Sequence, residues 1–379
     1  MPLQNYRILY ATAPTGVDYV QLTNVQNIQF TVGRQAQLDQ INASVGSFTM
    51  RYPTGYASPI TQLVSGTRIV IQNCTGTPYT IFCGRISDVS VEYGIPYSGS
   101  VGVADYLTVT FEGAFAAAAR MQGNNYAMAA GTTAGQLGTA GAQIGVNCSF
   151  EGQSVPLAAT TISSTWGDWI NRVCQTTNSR IWDTWDAGDQ GSISVISPFF
   201  RPVSTINFSD TANNSTNQVY EKINFDSLAD NFYTQVTVTP ESFSAATVTK
   251  AGASLPYRTL QSNTLNASTS QATDYANYLL SNYGQARFAI SSFTCKAEAQ
   301  NSFQLDKIGS TSSLLYAVGT QVAVTFRGTT YQCIIEGVTM SATPAGASFT
   351  YYVSGADLNA YLILDNAVFG KLDFNKLGY

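Results

Sequence analysis

Two pairs of long segments in this chain alternate apolar and polar residues, and they limit the fold more than any other feature. Near the N-terminal end GRISDVSVEYG (84–94) is followed by DYLTVTFEG (105–113). Near the C-terminal end TYQCIIEGVTMSATP (330–344) is followed by ASFTYYVSG (347–355). Side chains on a strand point alternately to its two faces, so a period of two marks a strand with one face buried. The alternation is clearest in Ser87–Glu92 and Leu107–Phe111, and Gly94, Pro96, Gly99 and Gly102 mark the turn between them. Two such hairpins predict two β blocks of one kind.

Composition agrees. Charged residues make up 11% of the 379, against roughly 25% in an ordinary soluble domain. The 22 Tyr and 19 Phe argue against disorder. A surface that draws its polarity from Ser, Thr, Asn and Gln suits half-buried sheets and large protein contacts. Histidine is absent, which removes the commonest general base and metal ligand and argues against an enzyme. No cofactor motif is present, and neither a cofactor nor a metal is expected.

The net charge of −5 is uneven: residues 151–241 hold ten acidic side chains against four basic ones, and no lysine precedes Lys222. Nothing gathers the cations that neutralise phosphates, so specific nucleic-acid binding is not expected. No apolar run reaches the roughly 18 residues of a membrane helix, and the first residues lack a signal-peptide pattern. The six cysteines contain no CxxC pair. Cys74 and Cys83 flank the turn TGTPYT and are placed either to pair across a hairpin or to remain thiols, as the other four would in a reducing compartment.

The expected fold class is mainly β with α+β insertions: two tube-like β-barrel domains and two smaller helix-containing domains. Residues 1–121 form the first barrel, closed by the small-residue run 114–119, and 122–149 a Gly/Ala-rich linker with too many glycines for a stable helix. Residues 150–205 form a small α+β insert. In it Trp166, Trp169, Ile170 and Val173 recur at helical spacing after Ser163 and Ser164, and strands follow at Arg180–Trp185 and Ser192–Ser197. After a polar loop at 206–217, residues 206–240 contribute strands to the second barrel, including the alternating Phe232, Thr234, Val236 and Val238. Residues 241–299 are a second insert around a helix at Ser270–Tyr283, 300–358 complete the second barrel, and 359–379 form a C-terminal assembly tail.

The stretch IQFTVGRQAQLDQINASVGSFTMRYPTGYASP (28–59), with GTRIVIQN, GRISDVSVEYG and DYLTVTFEG after it, resembles the N-terminal barrel of minor tail proteins of long-tailed bacteriophages. There a GRxxxLDxxxAG-like run and a GRVxDVxVxYG-like strand recur. The end, AYLILDNAVFGKLDFNKLGY, is similar to that family's C-terminus at Asp365, Gly370, Leu372, Asp373, Asn375, Leu377, Gly378 and Tyr379. WGDWINRV is similar to its middle helix. The segment order resembles the tail hub, in which two tube-like barrels carry two inserts and a trimer sits below a six-fold tube. The resemblance implies a structural virion protein of the tail tip, assembled in the host cytoplasm. Such a protein is expected to form a homotrimeric ring whose six barrels match the tube, to contact the distal tail or tube protein and other tip proteins, and to let DNA pass without specific binding. The assembly interface is expected at Phe30, Arg34 and Leu38 of the first strand–turn–strand and at Phe374, Leu377 and Tyr379 of the tail. A hexameric distal tail protein and a carbohydrate-binding adhesin are the alternatives. The linker is longer than the family pattern, and no enzymatic or fibre extension follows, so any cell-wall cleavage is expected of another protein.

Other constellations read more plainly. Asp183, Asp186 and Asp189 lack the alternate-residue spacing and distal Glu of a calcium loop and suit a hairpin turn. Asp226 with Asp230, and Glu92 with Glu112, are carboxylate pairs whose separation decides whether glycoside hydrolysis is conceivable. All four tryptophans lie between 166 and 185 and are expected to share one core between a helix and a hairpin.

Overall fold

A computed structural model describes residues 5–12, 18–36, 38–53, 62–74, 78–94, 104–185, 191–197, 203–211, 217–227, 232–284, 289–297 and 318–355. Strands dominate. The first seven are β1 (Tyr6–Ala11), β2 (Tyr19–Gln21), β3 (Val25–Gly33), β4 (Val45–Pro53), β5 (Arg68–Asn73), β6 (Tyr79–Glu92) and β7 (Ala104–Glu112). They pair antiparallel in the order β3-β4-β7-β6-β5-β1-β2. Only three residues separate β2 from β3. Among them Asn24 takes φ 63, and Leu22 N–H donates to the Ile8 carbonyl at 2.8 Å. The last strand in the order therefore runs into the first, and this half curls back on itself.

The alternation sets which face is inside. Ile28, Phe30 and Val32 of β3, Phe48 and Met50 of β4, and Leu107, Val109 and Phe111 of β7 are all buried in one core. Phe30 and Phe111 each meet the ring of Phe82, at centroid distances of 5.2 and 5.0 Å. Each such ring removed from water stabilises the fold by about 1.5–3 kcal/mol.

The chain then leaves the sheet for a first insert. It comprises α1 (Phe115–Arg120), β8 (Tyr126–Met128), β9 (Gly131–Thr132), α2 (Thr133–Ile144), β10 (Cys148–Glu151), β11 (Pro156–Leu157), β12 (Thr160–Ile162), α3 (Trp166–Thr177), β13 (Arg180–Trp185) and β14 (Gly191–Ile196). The expected linker is thus ordered structure. Thr132 caps α2 by accepting from Gly135 N–H, and Gly145 closes it at φ 69. Leu137, Ala140 and Ile144 are buried in the insert's own core with Trp166, Trp169 and Ile170. That burial outweighs the roughly 1 kcal/mol lost at each helical glycine. The start of α3 is set by Thr165, one residue beyond the expected serines, in a reciprocal capping box with Asp168.

The second half returns with β15 (Val203–Ser209), β16 (Asn217–Val219) and β17 (Lys222–Asp226). A second insert follows, β18 (Gln235–Pro240), β19 (Ala246–Thr249), β20 (Thr259–Thr264) and α4 (Thr269–Tyr283). The half is completed by β21 (Ala289–Ala297), β22 (Gln321–Phe326), β23 (Thr329–Thr343) and β24 (Gly346–Gly355). Its strand order is β17-β21-β24-β23-β22-β15-β16. Residues 217–226 change partner midway: Tyr220 N–H reaches the Ser209 carbonyl and Glu221 N–H the Thr294 carbonyl. This half also curls back on itself, around Phe208, Phe293 and Tyr351.

Three further assignments differ from expectation. The polar stretch 206–217 contains part of β15, held between β16 and β22 with Phe208 fully buried. β18, expected in the second barrel, pairs with β19 and β20 of the insert. β21, expected in the insert, pairs with β17 and β24 of the main sheet. Alternation identifies a strand but carries no information about which sheet it joins.

The two halves are one 14-stranded sheet, joined where β3 pairs with β23 from Ile28↔Ala342 to Gly33↔Gly337. A register shift between Ile335 and Gly337 lets β23 leave β22 and meet β3 along the same edge.

Candidate functional site

Of the residues expected at an outer interface, Phe30 and Arg34 face inward. Phe30 is in phase with Ile28 and Val32 and is 1% exposed. Arg34 follows Gly33, whose φ of +79° turns the chain toward β23, and its side chain is buried. Leu38 is half-buried against the second insert's core of Val236, Val238, Ala276 and Leu279. It also lines a cavity of about 610 Å³ with Asp226 and Tyr283. Phe374, Leu377 and Tyr379 lie outside the described residues.

What Arg34 meets is Glu336, at the register shift of β23. Arg34 Nε donates to Glu336 Oε2 at 3.0 Å, and Arg34 N–H donates to the Glu336 carbonyl at 3.0 Å. Arg180, the first residue of β13, donates through Nε to Oε2 at 3.0 Å and through Nη2 to Oε1 at 2.6 Å. Ser354 of β24 donates its hydroxyl to Oε1. Glu336 is fully buried and Arg180 is 1% exposed. One carboxylate thus ties the first half, the first insert and the second half together.

Burial alone would raise the Glu336 pKa, but the Arg180 and Arg34 guanidiniums overcome it and hold the carboxyl at about 2. A carboxylate whose folded pKa lies below its unfolded value, about 4.3, adds stability that is complete above that value. The contribution is lost as pH falls toward about 2. Unfolding free energy measured across that window is expected to fall more steeply for the wild type than for Glu336→Gln. Equal slopes would remove Glu336 from the acid transition.

Asp183, three residues along the same strand, makes a second tie. Its Oδ2 accepts from Ser44 N–H at 2.9 Å and its Oδ1 from Phe115 N–H at 2.6 Å, all buried. Burial raises its pKa in spite of these bonds. The carboxylate expected on a hairpin turn therefore anchors β13 to the first half, while Asp186 and Asp189 lie outside the described residues.

Glu92 and Glu112 do not form a pair. Glu92 sits opposite Tyr106 and Glu112 opposite Arg85. That places them six residues apart along β7, about 20 Å at roughly 3.3 Å per residue, beyond the roughly 5–9.5 Å of glycosidase carboxylates. Asp230, the intended partner of Asp226, lies outside the described residues. The tryptophans divide between two cores: Trp166 and Trp169 pack edge to face inside the first insert, whereas Trp182 joins the main core with Trp185 against it. All six cysteines are free, and burial pushes the thiols of Cys148, Cys174 and Cys333 up to about 12, so they stay protonated and weakly nucleophilic. Among the described residues no cluster of His, Cys, Asp and Glu has the makings of a metal site, and no helix is long and apolar enough to cross a membrane.

No protein-family model and no curated protein matches the sequence. Solved structures do match the fold. The 43 kDa tail protein of prophage MuSo2 from Shewanella oneidensis aligns with a TM-score of 0.61 at 13% identity, over 92% of this chain and 98% of its own. The tail protein from Neisseria meningitidis MC58 aligns with a TM-score of 0.63 at 12% identity, over 93% and 97%. The E. coli c3393 protein aligns with a TM-score of 0.52 at 11% identity, over 88% and 74%. It is a type VI secretion component described as similar to the T4 bacteriophage tail proteins gp27 and gp5. At such identity the likeness is one of fold.

Proposed function

We propose that this chain, which has the fold of phage tail proteins, is a structural virion protein of a phage tail tip. It forms a homotrimeric hub ring that joins the tail tube or distal tail ring to the tip. The observation that carries the reading is a fold match to two tail proteins over nearly the full length of both partners. The course of the ladders supports it: each half of the sheet curls back on itself at a strand that changes partner, so each serves as one tube-like barrel. Three chains then supply six barrels to a six-fold tube. The acidic excess suits a lumen through which DNA passes without adhering. Protonated thiols and the absence of histidine fit a protein that works by assembly rather than by catalysis.

The mass of the assembled full-length protein tests this. A trimer is expected, a hexamer would assign the chain to a distal tail ring, and a strict monomer at high concentration would overturn the ring. Removing residues 361–379 is expected to leave folded chains that no longer assemble, and normal rings from the truncated protein would exclude the tail from the interface.

A further inference from the structure

The two inserts enclose a cleft of about 390 Å³ between the end of α3, the 153–156 segment and the first turns of α4. Its volume falls in the range of small-molecule sites, and it lies between substructures, where such sites concentrate. Its lining names the ligand class. Asp274 is the one charged side chain among the described lining residues, and neither lysine nor arginine is present. Phosphates, sulfates and acidic sugars would therefore meet a carboxylate and no cation.

What the cleft does offer is planar polar groups beside aromatic rings. Gln153, Asn178 and Asn266 each carry an amide, a donor and an acceptor in one plane. Vicinal hydroxyls on a sugar ring present the complementary pair. Tyr275 and Tyr278, one turn apart on α4, hold their rings within 12° of parallel at 6.4 Å and supply apolar surface for the C–H face of such a ring. Several of these groups are already held in place. Asn178, at φ 50 on the cap of α3, donates from Nδ2 to the Tyr278 hydroxyl at 2.5 Å, and Asn266 Oδ1 accepts from Thr264 at 2.5 Å. Leu265 N–H donates to the Thr176 hydroxyl at 2.8 Å and fixes one insert against the other. Side chains ordered beforehand lose little entropy on binding.

We infer that this cleft binds a neutral saccharide. The inference is independent of the tail-tip reading and places sugar recognition on the tyrosines of α4. Saturation-transfer NMR and titration calorimetry on the full chain with N-acetylglucosamine, glucose, galactose and rhamnose, and with sialic acid as the charged control, test it. At least one neutral sugar is expected to bind with a Kd on the order of 1 mM, and sialic acid to bind at least tenfold more weakly. Tyr275→Ala and Asp274→Ala are each expected to weaken binding tenfold or more without changing the circular dichroism. Should Tyr275→Ala fail to fold, Asp274→Ala and Gln153→Ala, at exposed positions, decide the matter. Absence of binding by all four neutral sugars at concentrations on the order of 10 mM overturns the inference. So does a preference for sialic acid, or affinity unchanged in the folded variants.

Discussion

Replacing Glu336 by glutamine is expected to lower the unfolding free energy by about 3–5 kcal/mol, read from urea or guanidinium denaturation. Glutamine keeps the shape of the side chain, so the loss does not come from a cavity. It comes from the Arg34 and Arg180 guanidiniums, which would face a neutral amide in a buried junction. Removing one member of a buried ion cluster leaves the others uncompensated, which costs far more than the cluster contributes as a whole. A companion variant separates the two quantities. Arg34→Met, Arg180→Met and Glu336→Leu together take all three charges away, and the triple variant is expected to be within about 2 kcal/mol of the wild type or more stable. A single variant as stable as the wild type would show that the junction tolerates unpaired charge. A triple variant as damaged as the single one would show that geometry, not charge balance, is the essential term.

Much of this fold is legible from local pattern. The hairpins of β6 with β7 and of β23 with β24, and the helices α3 and α4, follow from period and capping residues that lie within a few positions of each other. The coarse class, mainly β with helix-containing inserts, therefore comes from the residues themselves. The pairing of β3 with β23 does not, because Ile28 and Ala342 alternate with their neighbours in the same way whether or not they face each other. That pairing changes the meaning of the Gly33–Arg34 turn. In sequence it reads as an exposed basic loop placed for a neighbouring chain, but in the fold it is the seam between two parts of one chain. One signal for the seam was present. Glu336 stands in the run CIIEGV, and a carboxylate inside an apolar strand requires a buried cation, since unpaired it would cost several kcal/mol. Its partners, Arg34 and Arg180, lie 302 and 156 residues away, and no spacing rule connects them. α2 was missed for a different reason: its propensity is poor, and what sustains it is the burial of Leu137, Ala140 and Ile144, which a linear reading cannot weigh.

Gly33→Ala is the second large effect expected, with a loss of at least about 3 kcal/mol, near the upper end for single substitutions. Two terms add. The backbone of Gly33 has φ +79°, a left-handed conformation that costs a residue with a Cβ about 1–2 kcal/mol. The second term is contact: a Cβ there would lie 2.3 Å from the Glu336 carbonyl oxygen and 2.8 Å from Gly337 Cα. Both are backbone atoms of the facing strand, so no rotamer change relieves the overlap and the ladder itself must open. Gly66 provides the control, because it has φ +90° and no heavy atom within 4 Å of the corresponding position. Gly66→Ala carries the first term alone and is expected to cost about 1–2 kcal/mol. The difference between the two variants measures the close approach of β3 to β23, and losses equal within error would mean that the strands can part freely at Gly33. Opening the ladder there also draws Arg34 away from Glu336, whose backbone and side chain it holds at 3.0 Å. The two lesions are therefore coupled, and the double variant Gly33→Ala with Glu336→Gln is expected to lose less than the sum of the single losses. Strict additivity would place the glycine contact and the charge cluster in separate structural units, contrary to their shared position at the register shift of β23.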